Sequence, residues 1–359
     1  MTMAFSFKSM TIAATALACA LAWGAPVQAA EKTDFKIAWS IYAGWMPWGY
    51  AQEAGIVKKW ADKYGITVEL VQVNDYIESV NQYTAGKFDG VSVASMDALT
   101  IPAAGGVDTT ALLIGDYSNG NDGVVLKGAK SLKDIKGQKV NLVELSVSHY
   151  LLARALDSVG LSERDIRIVN TADADIVGAA ASPDVTAIVA WNPQLSEILK
   201  GAGMTEVFDS SKIPGEIMDL TVVNSGTLKD NPKLGKALTG AWYETLALMT
   251  RKDEAGKAAR EAMARLSGTD LAGYESQLKT TYLYSDPKAA ADFTRSPEAV
   301  KAMDLVRTFS FAHNLLGDGA KNKDVVGITF PGGKVLGDAK NIKLRFDDAY
   351  AQMAADGKL

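Results

Sequence analysis

Aromatic and acidic side chains gather in the segments that follow the apolar, β-branched runs of this chain. After Phe35–Ser40 comes Ile41-Tyr42-Ala43-Gly44-Trp45-Met46-Pro47-Trp48, with three aromatics and no charge. Later segments of the same kind hold Asp75, then Asp97, then Asp116 and Asp122, and further on Glu144, Asp173, Asp175, Glu216 and Asp219. No Lys or Arg adjoins these acids; Lys212 comes nearest, and His149 is the other possible cation. A cleft lined this way repels anions and suits a small cation held between ring faces and carboxylates. Guanidinium fits, being planar, charged at neutral pH and a bidentate donor to carboxylate oxygens; urea has its shape without its charge.

The candidate ligand-binding residues are Tyr42, Trp45, Asp75, Asp97, Glu144, Trp191 and Asp219. Each has a plainer alternative. Asp75 and Asp97 stand where helices begin, and an acid there caps the helix or opposes its dipole. Trp45 and Trp48 can pack a core, although Gly44 and Pro47 suggest an exposed loop. Asp219 precedes a strand and can be structural. Glu144 has no such task unless it caps the helix starting at Ser146, and Trp191 at a strand end suits a pocket wall. His149, on an apolar helix, reads as structural, and the other acids read as solvated surface.

Carboxylates also do acid–base chemistry, so an exported hydrolase using Asp97 and Glu144 as acid and base is a competing class. They can bind hard cations as well. Against both, no Gly-x-Ser-x-Gly, His-Glu-x-x-His or phosphate loop is present. The two histidines, His149 and His313, are far apart in sequence, which argues against a His-rich zinc site. The expectation is a binding protein with no catalytic residue, no metal and no cofactor.

The leader sets the compartment. Lys8 is the only charge before Glu31, an apolar stretch runs from Met10 to Trp23, and Gly24-Ala25-Pro26-Val27-Gln28-Ala29 ends it with a cut after Ala29. This is the layout of a secretory signal, residues 1–29, and it predicts a periplasmic protein. The apolar run is short of the roughly 20 residues that a membrane span needs. Cys19 is the only cysteine and lies in this segment. A lipid anchor there is the lesser alternative, because Leu17 sits one place too close to it. Losing Lys8 makes the net charge one unit more negative than the −5 of the full chain. With no basic run, nucleic acid is not an expected partner.

About 330 remaining residues exceed one hydrophobic core, so two domains are expected. Strand and helix patterns alternate through Phe35–Ser40, 47–64, Thr67–Val73, 76–86, Phe88–Ala94, 95–105 and Thr110–Ile114, as in an open parallel sheet with covering helices. Turn residues from Ser118 to Gly123 interrupt the series, and a second alternating unit follows, ending in Leu220–Asn224. The rest reads as largely helical. A helical tail needs a sheet to cover, which predicts lobe one from 30–117 plus 226–359 and lobe two from 118–225. Two crossings, near Tyr117–Asp122 and Asn224–Gly226, would form a hinge, with the ligand outside the strand ends.

Four segments carry a family resemblance: Trp48-Gly49-Tyr50-Ala51-Gln52-Glu53-Ala54-Gly55-Ile56, Asp89-Gly90-Val91-Ser92-Val93-Ala94-Ser95, Ser148-His149-Tyr150-Leu151-Leu152-Ala153-Arg154-Ala155-Leu156, and Ala187-Ile188-Val189-Ala190-Trp191-Asn192-Pro193. Their order and spacing resemble the nitrate/sulfonate/taurine class of ABC-importer binding proteins over nearly the whole mature chain, in particular the subgroup encoded beside urea carboxylases. The resemblance implies a two-lobed α/β periplasmic binding protein of type II, each lobe a mixed, mostly parallel sheet flanked by helices. It implies a monomer that delivers a small molecule, guanidinium or urea, to an inner-membrane permease. A sulfonate- or nitrate-type anion is the alternative ligand. Two departures bear on it: Glu144 stands where anion binders often have Gly, Ser or Thr, and Asn192 replaces an Asp after the tryptophan. Thiamine-pyrimidine-forming relatives carry a cysteine-rich segment that has no counterpart here.

Overall fold

In the strand β1 (Asp34–Trp39), Phe35, Ile37, Ala38 and Trp39 are buried and the charged Asp34 and Lys36 face out. β1 pairs in parallel with β2 (Thr67–Gln72) and β3 (Gly90–Ala94). β3 is buried throughout, and the Gly90 backbone lies so near the Val222 carbonyl that an added Cβ would sit 2.5 Å from its oxygen. This computed structural model describes residues 1–2 and 31–359, of which 32–359 form one compact unit. The expected signal peptide and Cys19 lie outside the described residues.

The remaining strands are β4 (Thr109–Ser118), β5 (Asp122–Lys127), β6 (Lys139–Leu142), β7 (Arg167–Asn170), β8 (Ala187–Trp191), β9 (Met204–Asp209), β10 (Met218–Asn224), β11 (Thr281–Leu283), β12 (Gly327–Phe330), β13 (Lys334–Leu336) and β14 (Ile342–Phe346). The larger sheet runs β13-β12-β14-β4-β10-β3-β1-β2, with β11 also on β4; the smaller runs β7-β6-β8-β5-β9. Both are mixed: β4–β14 and β6–β8 are parallel, while β3–β10, β4–β10, β5–β8 and β5–β9 are antiparallel.

Two differences from the sequence reading matter. The strand ending at Asn224 was grouped with the second unit, but β10 lies between β3 and β4 of the larger sheet. The chain therefore returns from the smaller sheet in the segment 210–217, between β9 and β10. The region after 226 is rich in helices, including Pro232–Met249, Glu254–Leu266 and Pro297–Ala312, yet it also supplies β11 to β14. β11 and β13 are three residues each, too short to show a two-residue period.

Helix ends follow local chemistry. Asp75 caps the helix Tyr76–Thr84, its carboxylate accepting the Glu78 N–H at 2.9 Å. Ser146 caps Val147–Ser158, accepting the Ser148 N–H. Among the described residues no helix is long and apolar enough to cross a membrane.

Candidate ligand-binding site

Strand register builds the site. In the β10 ladders, Asp219 lies opposite Asp116 of β4 on one side and Ala94 of β3 on the other. In the smaller sheet, Asp122 at the start of β5 lies opposite Trp191 at the end of β8. These ends meet around a cavity lined by Tyr42, Trp45, Tyr76, Ala94, Asp122, Val147, Trp191, Ile217 and Asp219. It offers about 20 Å³ to the centre of a water-sized sphere. A round void of that measure is about 3 Å in radius, room for a few heavy atoms.

The rings form a continuous wall. Trp45 meets Tyr42 edge-on at 5.0 Å and Tyr76 at 5.6 Å, and Tyr76 meets Trp191 edge-on at 5.8 Å. Hydroxyls tie the wall to carboxyls behind it. Tyr42 donates to Asp116 at 3.0 Å and Tyr76 to Asp97 at 2.6 Å, while Tyr76 accepts the Ala94 N–H at 3.0 Å. The backbone N–H of Val147 lies close enough to favour the ionised form of Asp97. The helix Val147–Ser158 thus points its positive end at a carboxyl of the protein itself.

Asp97, Asp116, Asp122 and Asp219 are all at most 5% exposed. No lysine or arginine is among the residues lining the cavity. Burial disfavours their ions, and no opposite charge offsets it. Burial pushes Asp97 up to about 7, against the hydrogen bond from Tyr76. Burial likewise pushes Asp116 up to about 7 and Asp122 up to about 6. Asp219 lies well above the ordinary range, from burial first and then from the charges of Asp116 and Asp122. Asp116 and Asp219 hydrogen-bond each other, which needs a proton on one of them.

Of the residues selected from sequence, the structure brings Tyr42, Trp45, Trp191 and Asp219 together around this cavity and sets Asp97 behind Tyr76. It does not bring Asp75 or Glu144 there. Asp75 is an exposed helix cap, and Glu144 is exposed, its backbone N–H held by Asn170. Asp116 and Asp122, read as solvated surface, are buried in the site. Their signal was their position at opposite ends of one turn between two strands. Tyr76 was placed at a helix start without a role, and only the fold turns it inward. Glu216, counted among acids without a basic neighbour, is paired with Arg154 through Nε at 2.8 Å and with the Tyr150 hydroxyl at 2.6 Å. Lys212 is exposed.

Such a site can hold a small planar ligand between rings and offer it carboxylate acceptors. Nothing in the geometry divides its carboxyls into an acid and a base.

Relatives point the same way. A Brucella abortus (strain 2308) protein named for binding is 25% identical over 279 residues, 76% of this chain and 82% of that protein. The alkanesulfonate-binding protein of Xanthomonas axonopodis pv. citri, solved with MOPS bound, superposes with a TM-score of 0.66 at 17% identity, over 81% of this chain and 96% of that one. The periplasmic nitrate-binding protein of Synechocystis PCC 6803 gives 0.56 at 13% identity, over 92% and 99%. All three are binding proteins rather than enzymes, and the two structures identify the fold here as the two-lobed α/β fold of periplasmic binding proteins. Residues 28–266 match the model of the NMT1-like family, and the chain belongs to that family.

Proposed function

We propose that this chain is the exported, periplasmic receptor of an ABC importer, and that it closes its two lobes on a small planar nitrogen cation, guanidinium in preference to urea, for delivery to an inner-membrane permease. The single observation carrying the ligand class is the set of four buried carboxyls around a ring-lined cavity that holds no basic side chain. A cation supplies the missing charge and restores ionisation that burial alone opposes. The helix end at Val147, where a bound anion would be at home, is taken by Asp97.

Closure would occur about the two crossings, 119–121 and 210–217, with the chain acting as a monomer. The leader and the fold support export. The names of the relatives favour a second ligand class, sulfonate or nitrate.

Competitive titration calorimetry of the mature protein decides between them. Four heavy atoms at about −1.5 kcal/mol each set a scale near −6 kcal/mol, a Kd of tens of micromolar for guanidinium. Urea turns an oxygen toward a carboxylate and is expected to bind about ten- to a hundredfold more weakly. Taurine or nitrate binding more tightly than guanidinium would overturn the cation reading and leave the receptor reading standing. Ligand turnover, followed in the same samples, would instead favour the hydrolase class.

A further inference from the structure

The helix that begins at Val147 carries a second group of titratable side chains, away from the cavity. His149 is 2% exposed, and its Nδ1 accepts the Leu145 N–H at 3.1 Å. Its proton therefore sits on Nε2, which lies 3.2 Å from Glu163 Oε1, poorly aligned for a hydrogen bond. His313 ends the helix Pro297–Ala312. Its Nδ1 is 2.8 Å from the Phe309 carbonyl and its Nε2 is 2.7 Å from the same Glu163 oxygen. Both neighbours only accept, so both ring nitrogens must donate and His313 is an imidazolium. Phe309 stacks on His313 at 4.0 Å and meets Tyr150 edge-on at 5.3 Å.

The partners come from different halves. His149 and Glu163 lie between β6 and β7 of the smaller sheet, whereas the helix bearing His313 packs on Ser95–Ala98, directly after β3 of the larger sheet. We propose that His313, Glu163 and His149 form a proton-dependent clasp across the two lobes, which favours the closed form while His313 is charged and loosens when it loses its proton. This rests on the closing-receptor reading above.

The hydrogen bond to Glu163 raises the His313 pKa, against burial. Burial opposes ionisation of Glu163, yet the two imidazoles beside it, His149 and the hydrogen-bonded His313, hold it down to about 2. The imidazolium is thus the group that changes near neutrality. Because its pKa is raised in the clasp, the contribution is complete below the free histidine pKa and is lost as pH rises through the raised one. Other charges facing the same hollow are Arg154, held by Glu216, and Asp157 and Arg164; the opposing helix adds Leu305, Thr308, Phe309 and Ala312, none titratable. The three ligand atoms lie within 4.8 Å of one another, as a metal would need. For His149 Nε2 to ligate, however, its Nδ1 would have to carry the proton and face the Leu145 N–H, donor against donor.

The test is the inter-lobe distance by pulsed dipolar spectroscopy, with spin labels on Lys58→Cys and Lys130→Cys of the mature chain. Without ligand, the closed-to-open ratio is expected to fall about three- to tenfold between about pH 5.5 and pH 8.5. In His313→Gln and in Glu163→Gln it should be flat, and His313→Arg, a permanent cation, should stay closed at high pH. A flat profile in the parent, or an unchanged one in His313→Gln, overturns the clasp. If guanidinium binds by calorimetry and shortens no distance, the closure reading fails and the clasp with it. Zinc chloride bound one per chain at neutral pH, and lost in His313→Gln, would make this a metal centre and also overturn the proposal.

Discussion

If guanidinium is the ligand, its affinity is expected to rise about tenfold per pH unit up to about pH 6 and to level off above about 7, the slope of a binding event that releases one proton. The sign follows from the site acids. Asp122 near 6 and Asp97 and Asp116 near 7 are protonated at low pH in the empty protein. A cation binds their ionised form, so lowering the pH through this window makes protons competitors of the ligand. An anion would show the opposite slope, binding better as the acids are neutralised. The stability of the empty protein carries the same signature. Folded-state pKa values raised above the usual aspartate range mean that the folded chain holds more protons than the unfolded one between about pH 4 and 7. Stability without ligand therefore falls as pH rises through that window, and saturating guanidinium reverses the fall. Calorimetry at a series of pH values, in buffers of different ionisation enthalpy, measures the proton count directly. A pH-independent affinity would remove these carboxyls from the binding equilibrium.

Replacing Asp219 by Asn is expected to weaken guanidinium binding by more than a hundredfold and to raise the melting temperature of the empty protein by a few degrees. Removing one member of a buried charge pair costs about 3–5 kcal/mol in the complex. Without ligand the same carboxyl is a liability, buried against Asp116 and Asp122 with no opposite charge. Asparagine keeps the shape and the hydrogen-bonding capacity while relieving about 1–2 kcal/mol of that opposition. The opposite signs are the diagnostic part, since a merely structural residue would lose stability on substitution. Glu144→Gln is the companion measurement. Sequence alone makes Glu144 a candidate ligand residue, but its exposed carboxylate is expected to matter less than about twofold. A hundredfold loss in Glu144→Gln would mean that the loop Val143–Ser146 folds over the ligand.

What could be read from sequence, and what could not, separates by range. Periodicity and caps placed β1 to β4 and the helices between them, because those signals repeat within a few residues. The census of aromatics and acids picked out Tyr42, Trp45, Trp191 and Asp219, which line the cavity, since a residue at a strand end in this architecture faces the space between the sheets. It erred where a local role and a distant one compete. Asp75 takes the capping role its position offers. Asp116 and Asp122 flank a turn that looks solvent-facing, yet the β4–β10 and β5–β8 ladders bury both. The position of β10 was beyond reach, because insertion between β3 and β4 is decided by pairing more than a hundred residues apart in the chain.

The tightness of the cavity has a consequence for discrimination among relatives of the ligand. Arginine, agmatine and the polyamines share the cationic charge but drag a carbon tail, which a void of this size behind Tyr42, Trp45, Tyr76 and Trp191 has no room to enclose. For a guanidinium receptor, such a wall would reject the commoner metabolites by what they add rather than recognise the ligand by what it has. Filtering would then be done by steric exclusion, which saturating concentrations of the wrong compound cannot overcome.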